Sequence, residues 1–193
     1  MMNLFTRLFF VCMTLFPVIP LATASEPLKP EITSRKFDGI YFTQKRLSES
    51  ETHYDAIIKQ LAKQFGSGNA KNLPIDPQTA ELTRLLQSIH GRCAYCVILH
   101  EQTARDMGIP QIKIDSLPAW RESQLFTVSE KAALNYTEVL SDLDQEHIQQ
   151  AHDALKKHFD QAAVETLLMS IVNMDAYIKI FLAQGRQPAF SNK

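Results

Sequence analysis

Residues 92–100 of this chain read Arg-Cys-Ala-Tyr-Cys-Val-Ile-Leu-His, which places Cys93 and Cys96 three positions apart and His100 four positions further on. Side chains three, four and seven residues apart lie on one face of an α-helix. Two sulfurs at this spacing are within reach of a disulfide, and an imidazole beside them can accept or return a proton. The stretch therefore predicts a helix that carries a redox site.

The two cysteines stand where this helix is expected to begin. Gly91, just before them, is typical of the end of a preceding helix. Near a helix N-terminus the free amides and the helix dipole stabilise a thiolate relative to a thiol. The position therefore favours a nucleophilic cysteine.

Helical patterns extend on both sides of the cysteine pair, because apolar residues recur there at helical spacing. Asp76 followed by Pro77 marks one helix start, and Thr127 with Glu130 forms a capping box at another. The predicted helices cover 48–65, 77–90, 93–107, 132–140, 144–159 and 161–183. No stretch alternates convincingly between polar and apolar residues, so the predicted fold class is all-α.

Residues 1–24 have the layout of a secretory signal peptide. Arg7 precedes an apolar core at 8–16, and Ala22-Thr23-Ala24 is a small-residue cleavage site. The apolar core is too short to span a bilayer. We therefore expect no membrane anchor, and a periplasmic or secreted protein after cleavage near Ala24.

The remaining residues, roughly 170, suffice for one domain with a full core. We expect an extended N-terminal arm at 25–46, a helical domain at 47–187 and a tail at 188–193. The apolar segment from Phe37 to Phe42 is expected to pack on the domain or on a neighbouring subunit. The net charge of −1, with both signs interspersed, predicts no nucleic-acid partner.

Cleavage of the signal peptide removes Cys12 and leaves Cys93 and Cys96 as the remaining cysteines. A disulfide between them closes a loop too short to stabilise a domain strongly. Exported proteins also meet an oxidising compartment. The cysteine content therefore favours a redox role over a structural one.

Other roles for the cysteine pair stay open at this point. Cys93, Cys96, His100 and a carboxylate would supply the ligands of a zinc site, although three ligands on one helix face suit a tetrahedron poorly. A helical scaffold with a spectator disulfide is a second alternative. Attachment of a c-type haem is excluded, because Val97 rather than histidine follows the second cysteine. We expect no cofactor.

Glu81, twelve residues before Cys93, is a candidate partner for the site. It precedes Leu85 by four residues and Ile89 by eight, so it borders the apolar stripe of its helix. The alternative is an exposed carboxylate near the helix start, where the dipole favours negative charge.

Glu81 together with Cys93-x-x-Cys96-x-x-x-His100 resembles the alkylhydroperoxidase D-like (AhpD-like) group of the carboxymuconolactone decarboxylase superfamily. The resemblance covers roughly residues 47–187. Further blocks that resemble this group are Gly91, Ala104-Arg105, Gly108, Trp120-Arg121-Glu122 and the run from Phe126 to Leu134.

The resemblance implies an AhpD-like helical bundle that forms a homotrimer or homohexamer. It implies that Cys96 attacks a peroxide, that Cys93 closes a Cys93–Cys96 disulfide, and that Glu81 and His100 relay protons. The implied enzyme is a thiol-dependent hydroperoxide reductase or a thiol–disulfide oxidoreductase in antioxidant defence. Its substrate is a peroxide or a disulfide, and its partner is a protein that serves as thiol reductant or oxidant. Tyr95 stands where family peroxidases carry a histidine.

Overall fold

The computed structural model describes residues 41–47, 53–65 and 73–189. The predicted signal peptide and most of the predicted arm lie outside these residues. Seven α-helices and two short strands are found in the described part. They are β1 (Tyr41–Thr43), α1 (Ala56–Phe65), α2 (Pro77–His90), α3 (Ala94–Asp106), α4 (Gln111–Asp115), α5 (Val128–Ser141), α6 (Ile148–Leu155), α7 (Gln161–Gln184) and β2 (Gln187–Ala189).

Helix boundaries follow the capping residues that the sequence shows. Asp76 accepts a hydrogen bond from the Thr79 amide at 2.8 Å and so caps α2, which begins at Pro77. At α5 both halves of the capping box between Thr127 and Glu130 form. These predictions are confirmed, because a cap depends on residues within a single turn.

Three helix predictions need correction. The helix predicted over 48–65 begins at Ala56 in the described residues, since 53–55 are not helical. The helix predicted over 144–159 is limited to Ile148–Leu155, since a backbone turn at Leu143, whose φ is 55°, separates it from α5. Between α3 and α5 the chain also forms α4 and a 3-10 turn at Leu117–Ala119, neither of which was predicted. Elements this short have too few residues to show a helical apolar period.

Helix α2 is the centre of the domain. Its residues from Thr79 to Ser88 are all buried, and the helix packs against α3, α5 and α7. A helix buried on every side has no solvent face on which to place its polar residues. The polar side chains of α2 therefore need hydrogen-bond or ion-pair partners inside the protein.

Two core clusters lie on either side of α2. One joins it to α5, α6 and α7 and includes Ala80, Leu155 and Leu167. The other joins it to α3, α4 and the segment before α5, and includes Leu85, Trp120 and Leu134.

Among the described helices, α7 alone is long and apolar enough to span a membrane by length and composition, with a mean hydropathy of 1.4 in its most apolar window. The buried core helix of a globular domain passes the same test. Val164, Leu167 and Ile171 of α7 pack in a core cluster with α5 and α6. One face of α7 therefore packs in the core, and a protein without a membrane anchor stays our prediction.

The two strands form an antiparallel ribbon that joins the two ends of the described chain, with Phe42 opposite Pro188. Arg46 extends this link, because its amide donates to the Gln184 carbonyl at 2.7 Å and its Nη2 donates to the Leu182 carbonyl at 2.9 Å. The described residues are thus mostly helical, as the predicted all-α class requires, and the ribbon is an addition that was not predicted. Strands of three residues are too short to show an alternating pattern.

Candidate active site

The chain turns sharply between α2 and α3 to present the cysteines. Arg92 has a φ of 50°, in the left-handed region that residues other than glycine seldom adopt. At Gly91 a Cβ atom would lie 2.9 Å from two side-chain carbons of Ile178. The absence of a side chain at Gly91 therefore lets α7 approach the turn that precedes Cys93.

Cys93 is the N-cap residue of α3 and has an extended backbone. Its sulfur accepts a hydrogen bond from the Cys96 amide at 3.2 Å. The predicted location at a helix N-terminus is confirmed. The prediction that Cys93 shares a helical face with Cys96 and His100 needs correction, because Cys93 precedes the first turn and only the other two residues lie on the helix.

The two cysteines form a disulfide with a Cα–Cα distance of 5.2 Å. Both are buried, with 1% of Cys93 and none of Cys96 exposed. Met174 and Ile178 of α7 pack against them. A reductant in solution therefore has no direct path to either sulfur in this conformation.

Glu81 reaches the cysteine-bearing helix. Its Oε1 lies 2.7 Å from Nδ1 of His100, so that α2 and α3 are joined by a hydrogen bond between two buried side chains. Glu81 has no exposed surface at all. The alternative of an exposed carboxylate near the helix start is therefore wrong. Glu81 occupies the second turn of α2, where the neighbouring helices cover it.

Arg84 is a site residue that the sequence analysis missed. Its Nη1 lies 3.1 Å from Oε2 of Glu81, and only 5% of the residue is exposed. Nη2 of Arg84 is buried and has no hydrogen-bond partner among the described residues. The sequence did contain a sign of this role. Arg84 lies among the leucines of α2, three residues after Glu81, and residues three apart are neighbours on a helix.

Tyr95, between the cysteines, belongs to a second group of residues. The sequence analysis expected the segment from Phe37 to Phe42 to pack on the domain or on a neighbouring subunit, but it did not identify this group. The ring centroid of Tyr95 lies 3.9 Å from that of Phe42 in β1 and 4.7 Å from that of Phe181 in α7. Arg186 donates from Nη1 to the Tyr95 hydroxyl at 3.2 Å, and its guanidinium lies 4.6 Å from the Phe181 ring centroid. We call these four residues the aromatic cap. It holds the ribbon over the start of α3.

Residues 58–139 match the family model described as Carboxymuconolactone decarboxylase family. The matched segment contains Glu81, Cys93, Cys96 and His100. The chain is also similar to the uncharacterized protein YdfG of Bacillus subtilis (strain 168). The two share 28% identity over 120 residues, which is 62% of this chain and 82% of the relative.

Solved structures share the fold of this chain at low sequence identity. One is a protein of unknown function from Agrobacterium tumefaciens, provisionally described as an AhpD antioxidant defence protein. Its TM-score is 0.67 at 20% identity, over 77% of this chain and 100% of that one. The second is a peroxidase-related protein from Silicibacter sp. TM1040, with a TM-score of 0.59 at 12% identity over 69% of each chain. The third is the debrominase Bmp8, with a TM-score of 0.62 at 16% identity over 72% of this chain and 73% of its own.

The fold thus joins Glu81 to His100 and Cys93 to Cys96, and it places His100 one turn after Cys96 on α3. Across 41–47, 53–65 and 73–189, no three His, Cys, Asp or Glu side chains are grouped so as to hold a metal ion. The chemistry that the arrangement supports is proton transfer between a carboxylate and an imidazole beside a cysteine pair that can be oxidised and reduced.

Proposed function

We propose that this protein is a thiol-dependent hydroperoxide reductase that cycles between a dithiol and the Cys93–Cys96 disulfide. The observation that carries the proposal is the 2.7 Å contact between Glu81 and His100, both buried, with His100 one turn after Cys96 on α3. A carboxylate that orients an imidazole beside a thiol is the arrangement that activates a nucleophile.

Glu81 determines which nitrogen of His100 serves the thiol. Because Oε1 of Glu81 accepts from Nδ1–H, the lone pair is left on Nε2. Nε2 of His100 takes the proton of the Cys96 thiol and leaves a thiolate. A buried carboxylate also stabilises the imidazolium that this transfer produces.

The proposed reaction uses these positions. The Cys96 thiolate attacks one peroxide oxygen, so that an S–O bond forms while the O–O bond breaks, and the imidazolium of His100 returns its proton to the departing alkoxide. The Cys93 thiol then attacks the sulfenic acid on Cys96, the S–S bond forms, and water leaves. The peroxide gains two electrons, and the two thiols lose two. An external thiol reductant returns the two electrons and two protons, and no cofactor is needed.

The surroundings of the two cysteines support this division of roles. Cys96 has His100 one turn away, and Cys93 lies at the end of the helix, where its sulfur meets the Cys96 amide. Cys96→Ser should abolish peroxide consumption. Cys93→Ser should react once and trap a sulfenic acid that dimedone labels, as shown by intact mass. The reverse pattern would assign the attack to Cys93, whose N-cap position also favours a thiolate.

A second candidate function is thiol oxidation in an oxidising compartment, which the predicted signal peptide favours. We propose an exported protein, and in that compartment the direction of electron flow depends on the reduction potential of the cysteine pair. A reduction potential of about −270 mV supports a reductively recycled peroxidase, and a reduction potential of about −120 mV supports an oxidant of other thiols. Equilibration with a glutathione buffer, read by alkylation and mass, separates the two.

We also propose that the protein is a homotrimer or homohexamer. Leu168, Val172 and Leu182 of α7 are large apolar residues that remain exposed, with exposures of 37%, 46% and 47%. Exposed apolar surface of this kind is typical of a subunit interface. Light scattering at micromolar concentration tests this, and a stable monomer would contradict it.

A further inference from the structure

A buried guanidinium lies on the other side of the Glu81 carboxylate from His100. Oε1 of Glu81 faces the imidazole at 2.7 Å, and Oε2 faces Nη1 of Arg84 at 3.1 Å. The three side chains thus form a row, imidazole–carboxylate–guanidinium, across α3 and α2. All three residues are at most 9% exposed.

The charges of this row must nearly balance, since an uncompensated charge inside a protein is costly. Arginine stays protonated at every physiological pH. Arg84 therefore already supplies the positive charge that balances an ionised Glu81. No second positive charge is required, so His100 can remain neutral and act as a base.

We propose that Arg84 is a positioning residue of the relay, which compensates Glu81 and thereby keeps His100 unprotonated and ready to receive the Cys96 proton. The inference rests on the proposed function for the role of His100, but the charge coupling itself does not depend on peroxidase activity. Without Arg84, the cheapest way to balance a buried Glu81 carboxylate is to protonate His100.

Other charged groups do not supply this compensation. On α5, Glu138 pairs with His90 at 3.0 Å and with Arg121, and Glu130 pairs with Lys113 at 2.6 Å. On α3, Glu101 and Arg105 pair with each other at 3.7 Å. From the ribbon, Arg186 is held by Tyr95 and Phe181 of the aromatic cap. The residues of α7 that pack against the cysteines, Met174 and Ile178, carry no charge, and the two cysteines are joined in the disulfide. Arg84 is thus the positive partner that the structure gives to Glu81.

The test is the protonation of His100 followed by NMR in the full-length oxidised protein, where neither cysteine titrates. In Arg84→Gln, the pH at which His100 is half protonated should rise by about one unit or more relative to wild type, because a compensating charge has been removed. Arg84→Lys, which keeps the charge, should stay within about half a unit of wild type. An unchanged or lowered midpoint in Arg84→Gln would overturn the proposal.

A second variant keeps the test decisive if Arg84→Gln does not fold. Glu81→Gln/Arg84→Gln removes both charges, and replacement of a buried ion pair by neutral side chains is often tolerated. If Arg84 compensates Glu81, the His100 midpoint of this double variant should lie within about half a unit of wild type. A wild-type midpoint more than about one unit above that of the double variant would show that Glu81 acts uncompensated, and would overturn the proposal.

The catalytic consequence is measured separately. The pH at which peroxide consumption reaches half its maximum should rise in Arg84→Gln by the same amount as the His100 midpoint, and Arg84→Lys should restore it. If wild type consumes no peroxide, the proposed function fails while the NMR titration still decides the role of Arg84. If peroxide is consumed but the profile of Arg84→Gln does not move, Arg84 has no part in the relay.

Discussion

Replacement of Glu81 by glutamine should strongly destabilise this protein, although the two side chains have nearly the same size. Glu81 is fully buried and faces two partners, His100 at 2.7 Å and Arg84 at 3.1 Å. Loss of its charge leaves the guanidinium of Arg84 buried without a counterion, and Nη2 of Arg84 is already without a partner among the described residues. Removal of one member of a buried ion pair costs about 3–5 kcal/mol. Glutamine keeps an oxygen that can accept one hydrogen bond, so we expect the loss of unfolding free energy to lie at the lower end of this range, about 3 kcal/mol.

A double-mutant cycle isolates the pair. Arg84→Met alone leaves a buried carboxylate with only His100 beside it, and should also cost about 3 kcal/mol. Glu81→Gln/Arg84→Met removes both charges of the pair. Its loss of unfolding free energy should be well below the sum of the losses in the two single variants. We therefore expect a coupling of about 2–3 kcal/mol between Glu81 and Arg84.

Urea unfolding of the oxidised protein, followed by far-UV circular dichroism, measures these free energies if all variants share one m value. Glu165→Gln on the exposed side of α7 is the matched control, and should stay within about 0.5 kcal/mol of wild type. A cost below about 1 kcal/mol for Glu81→Gln, or single changes that simply add, would refute the buried ion pair. Glu81→Ala is a poorer probe of catalysis than Glu81→Gln, because it removes the charge and creates a cavity at once.

Three further measurements test other parts of the structure. His100→Ala should slow peroxide consumption by about 10- to 1000-fold, the range of general acid–base catalysis, and an unchanged rate at saturating reductant would remove His100 from the mechanism. Phe42→Ala loosens the aromatic cap by removing a ring pair worth about 0.5–1.5 kcal/mol. Dithiothreitol should therefore reduce the disulfide about 2- to 10-fold faster in this variant than in wild type. In the control Leu143→Ala, at an exposed site, the disulfide should be reduced at the wild-type rate. If Phe42→Ala also reduces at the wild-type rate, the cap does not limit access. Burial raises the pKa of Tyr136 above its ordinary 10.0, so its contribution to stability is complete below pH 10 and is lost as the pH rises through the folded-state value. Tyr136→Phe should therefore flatten the fall of the free energy of unfolding above pH 10, and equal slopes in the two proteins would contradict this.

Local features of the sequence predicted local features of the structure. The caps at Asp76 and Thr127 formed as expected, because each involves a side chain and an amide three residues later. The Cys93–Cys96 disulfide and the position of His100 one turn beyond likewise depend on spacing within one helix start. These contacts are encoded in consecutive residues, so periodicity and spacing were sufficient to find them.

Contacts between elements were decided by the tertiary structure alone. Glu81 is nineteen residues from His100 along the chain, and whether it faced water or the imidazole depended on the way α2 packs among α3, α5 and α7. The same burial places Arg84 beside Glu81, where it serves as the counterion of the carboxylate. The ribbon of β1 and β2 joins opposite ends of the domain and brings Phe42 and Arg186 to Tyr95. Sequence patterns report which face of a helix is apolar, but the neighbour that covers that face is set by the packing of the whole domain.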